Sequence, residues 1–222
     1  MSALGLAIAE WGLWKRRHLR WSLPAEVLLL AAASLPLRFA PFLLCASSGA
    51  LAVLLGWNHG FCWKRGSSFS ALGAGLPPGR IVAGRLLAGL AVYGFHLLLA
   101  APPLILALSS GGLSAALLAA WAGLWLAAYA MAAGLGFLAG LLLGPTEHLV
   151  GGYVLAAWFL PGLFQPQALL LNPLVQAWSL ARGGGPGRPV LGAALELLVA
   201  ALAFAAAGLL LARNGTVNDA RA

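Results

Sequence analysis

Residues 113–143 form a run of 31 residues without one charged side chain. About 20 apolar residues suffice to cross the ~30 Å hydrocarbon core of a bilayer. A run half as long again must tilt, break or continue past the interface. Five further apolar stretches, at 23–37, 41–57, 86–108, 149–164 and 190–212, accompany it. None shows the alternation of a lipid-facing strand, so helices rather than a barrel are expected. The composition agrees: 62% of residues are apolar and 8% charged, against roughly 25% charged in an average globular chain. Thirteen Lys/Arg and five Asp/Glu cannot clothe a soluble domain of this size, and the chain is too apolar for disorder. The expected fold is all-α: a polytopic membrane protein with six transmembrane helices.

The formal net charge of +8 would point to nucleic acid in a soluble domain. In a membrane chain it marks cytoplasmic loops and headgroup contacts instead, so no nucleic-acid partner is expected. With the N-terminus in the cytoplasm, Lys15, Arg16, Arg17, Arg20, Lys64, Arg65, Arg80, Arg85, Arg213 and Arg221 fall inside. Only Arg38, Arg182 and Arg188 fall outside. This bias predicts that both termini are cytoplasmic, with 213–222 as a tail.

Segments outside the spans carry further information. In residues 1–22, Leu4, Ile8, Trp11 and Trp14 recur at helical spacing and are followed by Lys15, Arg16, Arg17 and Arg20. Such a pattern predicts an amphipathic helix in the membrane interface, with rings in lipid and cations near phosphates. The order of its charged and apolar parts argues against a cleaved signal peptide. Residues 165–189 contain Ala168-Leu169-Leu170-Leu171, Asn172-Pro173-Leu174 and Gln176, too apolar for a free outer loop. They predict a re-entrant segment before the last span, acceptable only where protein covers it.

Motifs for chemistry are sparse. The chain has no P-loop, no HExxH, no CxxC and no paired acidic motif, so neither a metal site nor a catalytic residue is expected. Cys45 and Cys62 form no ligand or redox spacing. His18, His59 and His148 fall at the interface or in cytoplasmic turns, leaving His96 as the histidine expected at depth, with a hydrogen-bonded neutral ring as its ordinary role. Two rows of small residues, Gly136/Gly140/Gly144 and Ala115/Ala119/Gly123/Ala127, offer faces for close helix packing. Glu196 lies two turns into the last span, where it must face protein or water. It either lines a cavity or gate, with Asn172 and Gln176 as the other pathway candidates, or it is a structural carboxyl bonded to the neighbouring re-entrant segment or to Arg182 or Arg188.

The connection 58–85 contains Lys64-Arg65-Gly66-Ser67-Ser68-Phe69-Ser70-Ala71-Leu72, followed by Leu76-Pro77-Pro78-Gly79-Arg80. It resembles the cytoplasmic coupling segment between spans two and three of type 2 ABC transporter permeases. Asn172-Pro173-Leu174, with Arg182 after it, resembles that family's Asn/Ser-Pro segment after span five. The six spans and the N-terminal helix extend the likeness along nearly the whole chain. A family glutamate in the coupling helix is here Ser70, and the acidic residues that commonly precede that helix are missing.

The resemblance implies a permease subunit of an ATP-driven transporter, an exporter, in the bacterial cytoplasmic membrane. It would pair with a second permease subunit and with separate ATPase subunits, touched through Arg65, Ser68, Phe69, Ser70 and Leu72. This chain itself would hold no cofactor and catalyse nothing, and ATP and Mg would sit on the ATPase partner. Membrane lipids would contact Trp11, Trp14 and the basic run. The competing expectation is a non-transporting membrane scaffold or assembly subunit, which would need no ATPase at 58–85.

Overall fold

The computed structural model describes residues 2–12, 49, 52–61, 75–109, 114–143, 151, 172, 175–176, 179–180 and 187–219. Among these every regular element is helical: α1 (Ala3–Gly12), α2 (52–61), α3 (Pro78–Ser109), α4 (Ala115–Leu142) and α5 (Gly187–Asp219). Three apolar stretches within them, Pro78–Leu99, Ala115–Leu142 and Pro189–Arg213, are long enough to cross a bilayer. Their outward faces carry Leu90, Leu98, Leu197, Leu202 and Leu209. Helices that are apolar all round belong in lipid. The chain is a helical membrane protein.

Local chemistry explains where the helices begin. Ser114 caps α4, its hydroxyl accepting from the Leu117 N–H at 3.1 Å, and Ser2 caps α1 through the Gly5 N–H at the same distance. A side-chain oxygen here satisfies a donor that has no intrahelical partner. α3 opens with Pro at its first position, where the missing N–H is no loss. The turn before it uses Gly75 at φ 76°, a left-handed conformation open to glycine. The helix therefore starts at Pro78, eight residues before the third span expected from 86. Arg80 and Arg85 belong to it rather than to a loop.

α4 is the centre of the described bundle, with 78% of its apolar stretch buried against 44% for α3 and 33% for α5. Against α2 the approach is limited by backbone. A Cβ on Gly56 would lie 2.5 Å from the Tyr129 carbonyl oxygen, one on Gly60 would collide with the Ala133 carbonyl, and one on Gly136 would lie 2.5 Å from that of Trp57. Of the two small-residue rows, Gly136 and Gly140 are buried, whereas Ala115, Ala119 and Gly123 are exposed. Gly56 and Gly60, which complete the contact from the other side, belong to neither row.

These contacts also set direction. Along α2 and α4 the facing numbers rise together, so the two helices run the same way. α5 meets α4 where Gly134 packs on Ala200 and Ala203, and where the rings of Phe137 and Phe204 lie 6.2 Å apart. α3 brings its start, Val82, to the far end of α5 at Gly208, which sets it opposite to α5. Helix α1 runs alongside α3: Leu6 packs on Gly84, and Trp11 meets Phe95 edge to face with centroids 5.8 Å apart. Leu6 and Ala7 are buried and Leu4 and Ile8 exposed. The interfacial helix expected over 1–22 is described over 3–12, and there Trp11 packs on protein. Trp14, Lys15, Arg16, Arg17 and Arg20 lie outside the described residues.

The backbone contact at Gly60 makes a specific demand. Gly60→Ala should force α2 off α4 and lower stability by about 1–3 kcal/mol, the usual range for overpacking. Gly123→Ala, with open space around the added methyl group, should change nothing. Melting temperatures of the two purified variants in detergent check the pair.

Candidate functional site

Among the described residues three buried polar groupings interrupt the apolar interior. The first joins two of the residues expected at a pathway or gate. Glu196 is 0% exposed, held on α5 about 10 Å from Pro189 at 1.5 Å per residue. Gly192 stands one turn earlier on the same face. Into the notch left by its missing side chain comes Gln176, packed so closely that a Cβ on Gly192 would collide with the Gln176 amide. Gln176 is positioned by a helical turn in which its N–H donates to the Asn172 carbonyl at 3.2 Å, and the Asn172 side chain is itself fully buried. The Gln176 amide comes near enough to interact with the Glu196 carboxyl. No hydrogen bond of ordinary geometry reaches either Glu196 oxygen among the described residues.

The second grouping was not foreseen. His59, expected in a cytoplasmic turn, lies within α2 and is 3% exposed. Its Nδ1 stands 2.9 Å from the Tyr129 hydroxyl of α4. The Tyr129 ring packs against Tyr93 of α3 at 5.4 Å, and Tyr93 in turn against His96 at 6.4 Å. The Tyr93 hydroxyl donates to the Ala122 carbonyl at 2.5 Å. Among the described residues two histidines are therefore buried, not His96 alone, and two tyrosines join them across three helices. The error came from ending the second span at Trp57. The spacing Gly56-x-x-x-Gly60 was the available signal that the helix continues through His59.

The third grouping ties α1 to α3. Arg85 is 1% exposed and forms an ion pair with Glu10. Burial pushes the Glu10 carboxyl above the usual carboxylate range, and the guanidinium opposes that shift. A buried pair of this kind adds little by itself, but removing one partner strands the other in an apolar interior.

Arg65, Ser68, Phe69, Ser70 and Leu72, expected to meet an ATPase, lie outside the described residues, as do the expected first and fifth spans apart from Gly151. Among the described residues no group of three or more His, Cys, Asp or Glu side chains is placed to hold a metal. Compared with protein-family models, curated proteins and solved structures, the chain matches none.

Of the three groupings, only the first has a carboxyl without a balancing cation or a well-formed hydrogen bond among the described residues, with the Gln176 amide packed beside it. It is the candidate functional site. The histidine–tyrosine grouping has a structural task, holding α2, α3 and α4 together. Tyr129→Phe should accordingly weaken the bundle by about 0.6–1.7 kcal/mol, the measured span for hydrogen bonds between membrane helices. The loss should appear as a lower melting temperature with unchanged insertion.

Proposed function

We propose that the chain is the membrane-spanning permease subunit of an ATP-driven ABC transporter of the bacterial cytoplasmic membrane, an exporter working as a dimer with separate ATPase subunits. ATP and its Mg ion would be bound by the ATPase. The proposal starts from the likeness of 58–85 and of Asn172-Pro173-Leu174 to type 2 permeases. One structural observation carries it further: the helices on both sides of that connection are locked into the bundle at the ends it joins. On one side His59, Gly60 and Phe61 of α2 are buried, with Gly60 against the α4 backbone. On the other, Ile81 and Arg85 of α3 are buried and α1 is clamped over them. A force applied between residues 61 and 78 would therefore turn α2 and α3 with α4, instead of being absorbed by slack at either end.

The relative directions support the six-span reading. α2 and α4 run one way and α3 runs opposite to α5, as alternate crossings numbered two, four, three and six require. Both termini then lie on the side of 58–85, the side rich in Lys and Arg. Glu196, Gln176 and Asn172 would line the pathway from the opposite side.

Phe69 and Leu72 are three residues apart and would share one face if the segment is helical, a natural anchor for an ATPase together with Arg65, Ser68 and Ser70. An anchor of this type contributes more than ~1 kcal/mol. Phe69→Ala/Leu72→Ala should cost the chain its co-purifying ATPase and the stimulation of ATP hydrolysis, while membrane insertion persists. Retention of both would favour the scaffold alternative.

A further inference from the structure

A carboxyl inside a membrane helix calls for a positive charge, and among the described residues none is paired with Glu196. One turn to either side on α5 stand Gly192, Ala193, Val199 and Ala200. α4, packed along α5, has Tyr129 as its only titratable side chain, and that hydroxyl is engaged with His59. Residues 172 and 176 contribute neutral amides. On α3, Tyr93 and His96 pack towards Tyr129. Arg80 and Arg85 belong to the end of α3 where Val82 meets Gly208, twelve residues or about 18 Å along α5 from Glu196. Both Glu196 oxygens are buried and without a hydrogen bond among the described residues. Buried charges are paired in folded proteins, and ionisable groups at membrane depth mark sites of function.

The occupant's size and character can be read from the surroundings. The notch beside Glu196 is floored by Gly192 and filled by the Gln176 side chain. A turn of the Gln176 side chain vacates a space about as large as its own amide, bounded by a carboxyl and a bare helix backbone. A methylene-ammonium group has that size, and its three donors suit a carboxylate, an amide oxygen and a backbone carbonyl. Leu197 and Leu198, next along the helix, are 48% and 54% exposed. A hydrocarbon tail attached to the ammonium group can therefore lie against them in the lipid.

We propose that Glu196, Gln176 and Gly192 form a binding site for the primary ammonium group of an amphiphilic amine, with Gln176 as the plug that moves aside to admit it. The inference rests on the permease reading only in treating the amine as cargo. Binding itself needs no ATPase, so it can fail or succeed independently of that reading.

The test uses the purified full chain in phosphatidylcholine nanodiscs and the fluorescent amine dansylcadaverine, with its neutral N-acetyl derivative as the control. The wild-type chain should bind the amine at least tenfold more tightly than the derivative. Glu196→Gln should erase that preference, and Glu196→Asp should keep part of it. A second measurement needs no variant: dicyclohexylcarbodiimide should modify Glu196 of the wild-type chain, and dansylcadaverine, not the derivative, should protect it. Equal binding of the two compounds by wild type, an undiminished preference in folded Glu196→Gln, or labelling indifferent to the amine would each overturn the proposal. ATPase association, judged separately with Phe69→Ala/Leu72→Ala, would stand unaffected.

Discussion

Backbone meets backbone where α2 crosses α4, and the rest of the bundle is arranged around that approach. In lipid there is no hydrophobic gain from bringing two apolar helices together, so association depends on close packing and polar contacts. Gly56 and Gly60 on one helix and Gly136 on the other remove the side chains that would hold them apart. The same crossing brings His59 within reach of Tyr129. Tyr129 then gives Tyr93 a ring to pack on, and the Tyr93 hydroxyl reaches the Ala122 carbonyl. Three helices are joined by one chain of contacts that begins with three missing side chains.

On the other side of α4 the packing is apolar, through Gly134, Phe137, Ala203 and Phe204. Nothing comparable to the His59–Tyr129 bond is described between α4 and α5. The buried polar residue of α5 is instead Glu196, beside Gln176, which lies in the segment expected before it. The bundle thus separates its polar groups by role. Those between α2, α3 and α4 are held by one another and by backbone, and the carboxyl on α5 has the Gln176 amide beside it.

How much of this was legible in the sequence depends on which physical signal each feature leaves. The helical class, the long apolar helices and the buried state of Glu196 follow from hydropathy and from the cost of a carboxylate in lipid, and all three are found. The pairing of Gln176 with α5 was suggested by proximity in the chain and by the need to cover Glu196. Helix ends were less legible. Composition does not distinguish a basic loop from the first turns of a helix, so α3 was expected at 86 when Pro78 starts it. His59 was assigned to a turn because polar residues after Trp57 look like an exit from the membrane, although the small residues on its own helix face argue for continued packing. The Glu10–Arg85 pair has no sequence signal beyond opposite charge, since 75 residues separate its members. The first and fifth expected spans, the outer parts of the re-entrant segment and the Phe69–Leu72 face lie outside the described residues.

If the chain is the permease proposed above, α2, α3 and α4 move as one body when the connection between α2 and α3 is pushed. Pulsed electron paramagnetic resonance between spin labels at Leu54 of α2 and Leu98 of α3, both exposed, measures this directly in a chain lacking Cys45 and Cys62. Labelled chains would be diluted with unlabelled ones, reconstituted with the proposed ATPase partner and compared with and without ATP. A single rigid body gives one unchanged distance distribution in both conditions, while labels placed on opposite copies of the proposed dimer shift. A second Leu54–Leu98 population appearing with ATP would contradict it.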